Sequence, residues 1–114
     1  MFFAMNDKEL GILKLLPRDE MEKTGQAALN RPGVTPEQAR EFRRFLYGRA
    51  SECPVDSQGR VLLPVVLTES VGLGREVTLV GVGERVEIWH PDKWDAAEAA
   101  QRAAYDLVAK ELGF

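Results

Sequence analysis

The stretch Glu52-Cys53-Pro54-Val55-Asp56-Ser57-Gln58-Gly59-Arg60-Val61-Leu62-Leu63-Pro64 decides how this chain is read. Short apolar runs flank Asp56-Ser57-Gln58-Gly59. An aspartate accepts from backbone amides ahead of it, and a glycine takes a positive φ without steric cost, so these four residues predict a tight turn. Residues 50–55 predict the strand that enters the turn, with Pro54 placing it at a sheet edge. Residues 60–63 predict the returning strand, stopped by Pro64. Arg60 leaves the turn on a rigid base, and its guanidinium is a planar five-donor fork suited to phosphate oxygens and guanine edges. On the residues alone a second reading stays open: Asp56 and Arg60 form a local ion pair across a hairpin and nothing more.

Upstream, Thr35-Pro36-Glu37-Gln38 is a helix start, with Thr35 as N-cap, Pro36 in the first turn and Gln38 reaching back. That helix is expected to run to about Tyr47 and stop at Gly48. Ala39, Phe42 and Leu46, with Phe45 beside them, form its apolar stripe, and Arg40, Arg43 and Arg44 lie off the stripe, towards water or a partner. Residues 18–29 predict another helix, weakened by Gly25. A short strand is expected within the apolar stretch 10–16. Downstream, residues 65–71 predict a short helix closed by Gly72 or Gly74, and 76–82 a buried strand. A turn at 81–84 leads into an alternating strand at 85–89. His90-Pro91-Asp92 opens a final helix, ended by Gly113, whose expected apolar face is Trp94, Ala97, Ala100, Ala104, Leu107 and Val108.

Two segments match at an offset of 73 residues: Leu13-Lys14-Leu15-Leu16-Pro17-Arg18-Asp19-Glu20-Met21 and Val86-Glu87-Ile88-Trp89-His90-Pro91-Asp92-Lys93-Trp94. Both read as a strand followed by a helix start, the pattern of a duplicated unit. The earlier copy lacks a counterpart of the Asp56–Gly83 hairpins.

The 114 residues carry a net charge of −3, are 45% hydrophobic and 29% charged, and match an ordinary globular profile. The total hides its distribution. Between Arg40 and Arg60 stand five arginines (Arg40, Arg43, Arg44, Arg49, Arg60) against Glu41, Glu52 and Asp56, while residues 90–114 are acidic. The charge run alone reads as a solvated helix face plus one loop arginine. One cysteine, Cys53, and one histidine, His90, argue against a disulfide framework and a Cys/His metal site. Cys53 reads as a packing residue, His90 as a helix-start residue, and Trp89 and Trp94 as core and docking aromatics. No apolar run reaches the roughly 18 residues of a membrane helix, and residues 1–8 lack the pattern of a secretion signal. The expected compartment is the cytoplasm. No Ser/His/Asp or Cys/His pairing and no phosphate-cradling glycine loop is present, so neither catalytic residues, cofactor, metal nor small-molecule substrate is expected.

Phe42-Arg43-Arg44-Phe45-Leu46-Tyr47-Gly48, the 52–64 stretch, and Glu76-Val77-Thr78-Leu79-Val80-Gly81-Val82-Gly83-Glu84-Arg85-Val86-Glu87-Ile88-Trp89 together resemble the second repeat of the MraZ family. The resemblance is strong over residues 39–97 and faint over 10–30. It implies an α+β fold: a SpoVT/AbrB-like small swapped β-barrel, one complete repeat, with flanking helices. It implies residues 1–30 as the remnant of a first repeat, 31–48 as a linking helix and 49–114 as the second repeat with its C-terminal helix. Asp56 and Arg60 fall on the family's DxxxR motif; the first repeat's DxxxR hairpin has no match here. The function implied is a nucleoid-associated transcriptional regulator of the division and cell-wall gene cluster, working on repeated promoter DNA sites. DNA contacts are assigned to Arg60, with Asp56 and Gly59 shaping its turn and Arg49, Arg43 and Arg44 adding backbone contacts.

One such loop per chain supplies few phosphate contacts, and affinity grows with their number. Val77, Leu79, Val86 and Ile88 also need covering. A homo-oligomer, dimer or ring, answers both needs. The alternative is a shortened interaction protein that assembles with a full-length relative and modulates it without binding DNA well.

Overall fold

A computed structural model describes all 114 residues. The elements run β1 (Phe2–Asp7), β2 (Ile12–Pro17), α1 (Arg18–Leu29), α2 (Pro36–Arg49), β3 (Ser51–Cys53), α3 (Val65–Ser70), β4 (Thr78–Gly81), β5 (Val86–Trp89) and α4 (Pro91–Glu111). The fold is α+β: one antiparallel sheet in the order β3-β1-β2-β5-β4, with four helices.

The sheet is built from two hairpins joined at its centre. β1 pairs with β2, β4 pairs with β5, and β2 lies against β5 with Leu13 opposite Ile88, Lys14 opposite Glu87 and Leu15 opposite Val86. Lys14 and Glu87 are also the residues that the 73-residue offset equates. The register is therefore that of a two-fold axis through this pair: Leu13 faces the equivalent of Leu15, and Leu15 the equivalent of Leu13. Each hairpin runs into a helix, β2 into α1 and β5 into α4. β1 thus stands as the counterpart of β4, so the earlier copy keeps a complete hairpin where the sequence predicts only one short strand. Asp7 sets that hairpin's loop by accepting from the Leu10 amide at 3.0 Å, and Gly11 closes it at φ +69°.

The two outer edges differ. β3 covers the outer edge of β1, with Phe2 opposite Cys53. The outer edge of β4 pairs with no strand. One sheet face carries the core of Ala4, Leu13, Leu15, Cys53 and Ile88, covered by Val61, Leu63, Leu67, Val71 and Leu73 from the segment after β3. Leu79 shares that face by pairing with Ile88, yet it is 64% exposed, because the cover stops short of β4. The expectation of a buried strand at 76–82 is corrected accordingly: the strand is shorter, and it is an edge.

Helix ends follow local chemistry. Thr35 and Gln38 form a complete capping box, with both hydrogen bonds present. His90 caps α4 by accepting from the Asp92 amide at 3.1 Å. Gly113, at φ +69°, ends α4 with Phe114 N–H donating to the Ala109 carbonyl and Gly113 N–H to Lys110, a Schellman arrangement.

The faces of the helices depart from expectation. In α2 only Ala39 is buried, while Phe42 and Phe45 are exposed. The docking face is Ala39, Arg43 and Tyr47, because α1 presents the buried Gly25 there: a Cβ on Gly25 would lie 3.3 Å from Arg43 Nε and 3.7 Å from the Tyr47 ring. In α4 no residue is buried. Its first turn alone is tied down, by Trp94 edge-on to Trp89 at 5.2 Å and by Lys93 Nζ donating to the Gly11 carbonyl at 3.1 Å.

Candidate nucleic-acid interface

The 55–61 hairpin is a turn carried on a single bridge, Val55 to Val61, rather than a pair of regular strands. The strand expected at 60–63 does not form; Arg60 to Pro64 carry no ladder beyond that bridge. The turn holds because its own polar groups satisfy one another. Asp56 N–H donates to the Arg60 carbonyl at 2.9 Å, and Gly59 N–H donates to the Asp56 carbonyl at 3.0 Å. Asp56 Oδ1 accepts from the Gln58 and Arg60 amides at 2.9 and 2.8 Å. Gly59 sits at φ +79°, where an L side chain is strained.

Arg60 Nε donates to Asp56 Oδ2 at 2.8 Å. Both side chains are open to water, Arg60 at 73% exposure. One carboxylate therefore fixes both the backbone of the turn and the base of the guanidinium, leaving the remaining N–H groups of Arg60 for another acceptor. The hydrogen bonds from Arg60, backbone first and then side chain, hold the Asp56 carboxyl below its ordinary pKa, with the Gln58 amide adding to the effect. The ion pair expected across the hairpin is present, and it leaves the Arg60 side chain exposed.

The other arginines separate. Arg43 is half-buried against α1 at Gly25, a correction to its reading as a water- or partner-facing group. Arg40 and Arg44 are exposed. Arg49 lies over the Phe45 ring, 5.9 Å from its centroid, in a cleft between α2 and the sheet.

Arg85 and Glu87 carry a polar cluster that sequence reasoning missed. Glu87 accepts from Trp89 Nε1 and from the Arg85 guanidinium, each at 3.1 Å, with its side chain 8% exposed. Strand alternation would have turned Glu87 to water; the charge at 85 and the indole at 89, both two residues away, are the only signal of its burial.

Cys53 is buried, and desolvation pushes its thiol pKa up, which leaves it a packing residue. No three His, Cys, Asp or Glu side chains converge to hold a metal ion. No helix is long and apolar enough to cross a membrane.

The family model for MraZ protein, antitoxin-like by description, matches residues 46–111, which contain the whole Asp56–Arg60 turn. The chain belongs to the MraZ family. Among curated proteins, the transcriptional regulator MraZ of Heliobacterium modesticaldum is 36% identical over 102 residues, covering 90% of this chain and 71% of that protein. The transcriptional regulator MraZ of Thioalkalivibrio sulfidiphilus is 43% identical over 84 residues, covering 74% of this chain and 55% of that protein. That of Desulforamulus reducens is 39% identical over 100 residues, covering 88% and 70%. This MraZ chain thus spans between about half and seven-tenths of the length of these relatives.

Proposed function

We propose that this MraZ-family chain is a transcriptional regulator that binds promoter DNA as a homo-oligomer, with Arg60 as its reading side chain. It acts in the cytoplasm, at the nucleoid, on repeated sites of the division and cell-wall gene cluster. The sheet and hairpin are then part of a SpoVT/AbrB-like swapped barrel, with residues 1–30 belonging to its first repeat. The role is regulatory rather than catalytic. The observation that carries this reading is the Asp56–Arg60 turn: a 73%-exposed guanidinium held by its own loop. Little side-chain entropy remains to be lost when such a group meets a phosphate or a base edge. Asp56 and Gly59 set the loop, and the exposed Arg44 stands on the preceding helix as a backbone-contact group.

The test is fluorescence anisotropy on duplexes carrying repeated promoter sites over a salt series. Affinity is expected to fall steeply with salt, with a logarithmic slope of about −0.9 for each phosphate neutralised. Arg60→Ala is expected to remove nearly all specific binding. Equal affinity of wild type and Arg60→Ala at about 0.15 M salt overturns the assignment.

A second reading, an interaction protein that joins a longer relative, is favoured by the unpaired outer edge of β4 beside the exposed Leu79. Mixing the chain with such a relative and following assembly size and promoter binding decides it; no change in either removes this reading.

A further inference from the structure

Two apolar surfaces of this chain are bare, and they are opposite in charge. The first is the cleft between α2 and the sheet, about 440 Å³, lined by Leu16, Phe42 and Phe45 and by the cations Lys14, Arg49 and Arg85. Arg49 pairs with no carboxylate and lies over Phe45. Arg85 keeps a desolvated Nε without a hydrogen-bond partner. α2 itself carries four arginines against two glutamates.

The second is α4. Beyond its tethered first turn it projects with nothing buried, and Tyr105, Val108 and Leu112 all stay exposed. Together with Ala97, Gln101 and Ala104 they recur at three- and four-residue spacing, one stripe on one helix face. Helical spacing sets Glu98 and Glu111 along the borders of that stripe, while Lys110 falls on the opposite side. The helix carries five acids against three basic residues. Lys14 is paired with Asp7 and Arg85 with Glu84 and Glu87, so the free cation of the cleft is Arg49. A narrow apolar stripe with small residues and acidic borders complements a phenylalanine-lined cleft that holds Arg49.

We infer that α4 of one copy docks its Tyr105–Val108–Leu112 stripe into the α2–sheet cleft of a second copy. This rests on the oligomeric reading above and names its contact. Donor helix and acceptor cleft are different surfaces, so the contact is head-to-tail. It closes either by reciprocal exchange between two chains or around a ring. Within one chain, Trp94 on Trp89 and Lys93 on Gly11 fix where α4 leaves the sheet, and the cleft stays unfilled. Docking also brings a carboxylate acceptor to a cleft whose Arg49 has donors to spare.

The test uses the whole chain. Sedimentation velocity over a concentration series reads self-association, and circular dichroism checks folding; Val108 and Phe45 are exposed in the single chain, so Val108→Asp and Phe45→Glu are expected to fold. Each is expected to raise the dissociation concentration at least tenfold. Arg49→Glu is expected to weaken assembly, and Glu98→Arg added to it to restore part of the loss. In a Cys53→Ser background, mixing a Phe45→Cys chain with a Val108→Cys chain is expected to give a disulfide-linked pair that neither forms alone. Assembly that survives Val108→Asp and Phe45→Glu, or mixed chains that do not cross-link, overturns the contact. If promoter binding and oligomer size both persist in those variants, the regulatory reading stands and only this contact fails. A wild-type chain that stays monomeric while binding DNA overturns the contact and the oligomer together. A cross-link that forms within one doubly substituted chain, at monomer mass, overturns the second copy as occupant.

Discussion

Asp56 Oδ2 receives the Arg60 guanidinium at 2.8 Å while the other oxygen of the same carboxylate receives the Arg60 amide at 2.8 Å. Backbone and side chain of the presenting arginine are therefore anchored on one group. The anchor has a pH signature. The Arg60 hydrogen bonds lower the folded-state pKa of Asp56, and the Leu10 amide, with Lys14, lowers that of Asp7 in the β1–β2 loop. A carboxyl with a depressed folded pKa contributes stability above its unfolded value of about 3.9, lost as pH falls through the folded value. Thermal melts are expected to be flat from neutral pH to about 5 and to drop as the pH falls through about 4 and below. The double variant Asp7→Asn, Asp56→Asn should show a smaller drop. Identical acid profiles for wild type and the double variant would contradict this assignment.

Gly59 is a conformational requirement and not a packing one. At φ +79° it has open space where a Cβ would lie. Gly59→Ala is expected to cost about 1–2 kcal/mol from the left-handed backbone alone. Gly59→Asn should cost less, because asparagine tolerates that region. Urea denaturation of the three proteins checks the order, and an alanine variant as stable as wild type would show that the turn relaxes.

Glu87 is the acceptor for two donors, Trp89 Nε1 and Arg85. Glu87→Ala leaves the indole N–H unpaired on the central strand pair and is expected to cost about 1–3 kcal/mol. Arg85 can turn part of its guanidinium to water, which limits the loss. Glu87→Gln keeps one acceptor, so its denaturation midpoint should fall between those of wild type and the alanine variant. Equal midpoints for Gln and Ala would deny the acceptor its role.

Gly25 is the floor on which Arg43 and Tyr47 of α2 rest. Gly25→Leu is expected to push α2 off α1 at a cost of about 1–3 kcal/mol, despite leucine's better helix propensity. The Phe3–Tyr47 edge-to-face pair, at 5.9 Å, reports the displacement through the tyrosine fluorescence or its ring NMR shifts. An unchanged Tyr47 environment in a stable variant would place the α1–α2 contact elsewhere.

The local elements of this chain are legible in its amino-acid sequence. Asp56 and Gly59 spell their turn, Thr35 and Gln38 their capping box, and His90-Pro91 the start of α4, because each signal is a hydrogen bond or a φ constraint closed within a few residues. The match of Lys14 with Glu87 is visible there too, and with it the hint of two related strand–helix units, whereas the β1 partner that makes the first a hairpin is not. What covers what is decided only in three dimensions. Whether Phe42 or Arg43 faces α1 depends on a glycine 18 positions upstream of Arg43. Leu79 reads as a core residue by its type, yet it lies where the sheet ends and the cover has stopped. The pattern of α4 predicts an apolar face over Trp94, Ala97, Ala100, Ala104, Leu107 and Val108, yet no residue of that helix is buried in the single chain. Periodicity states which side chains share a side of an element, whereas burial depends on a second surface, and that surface comes from residues far away in the chain or from another molecule.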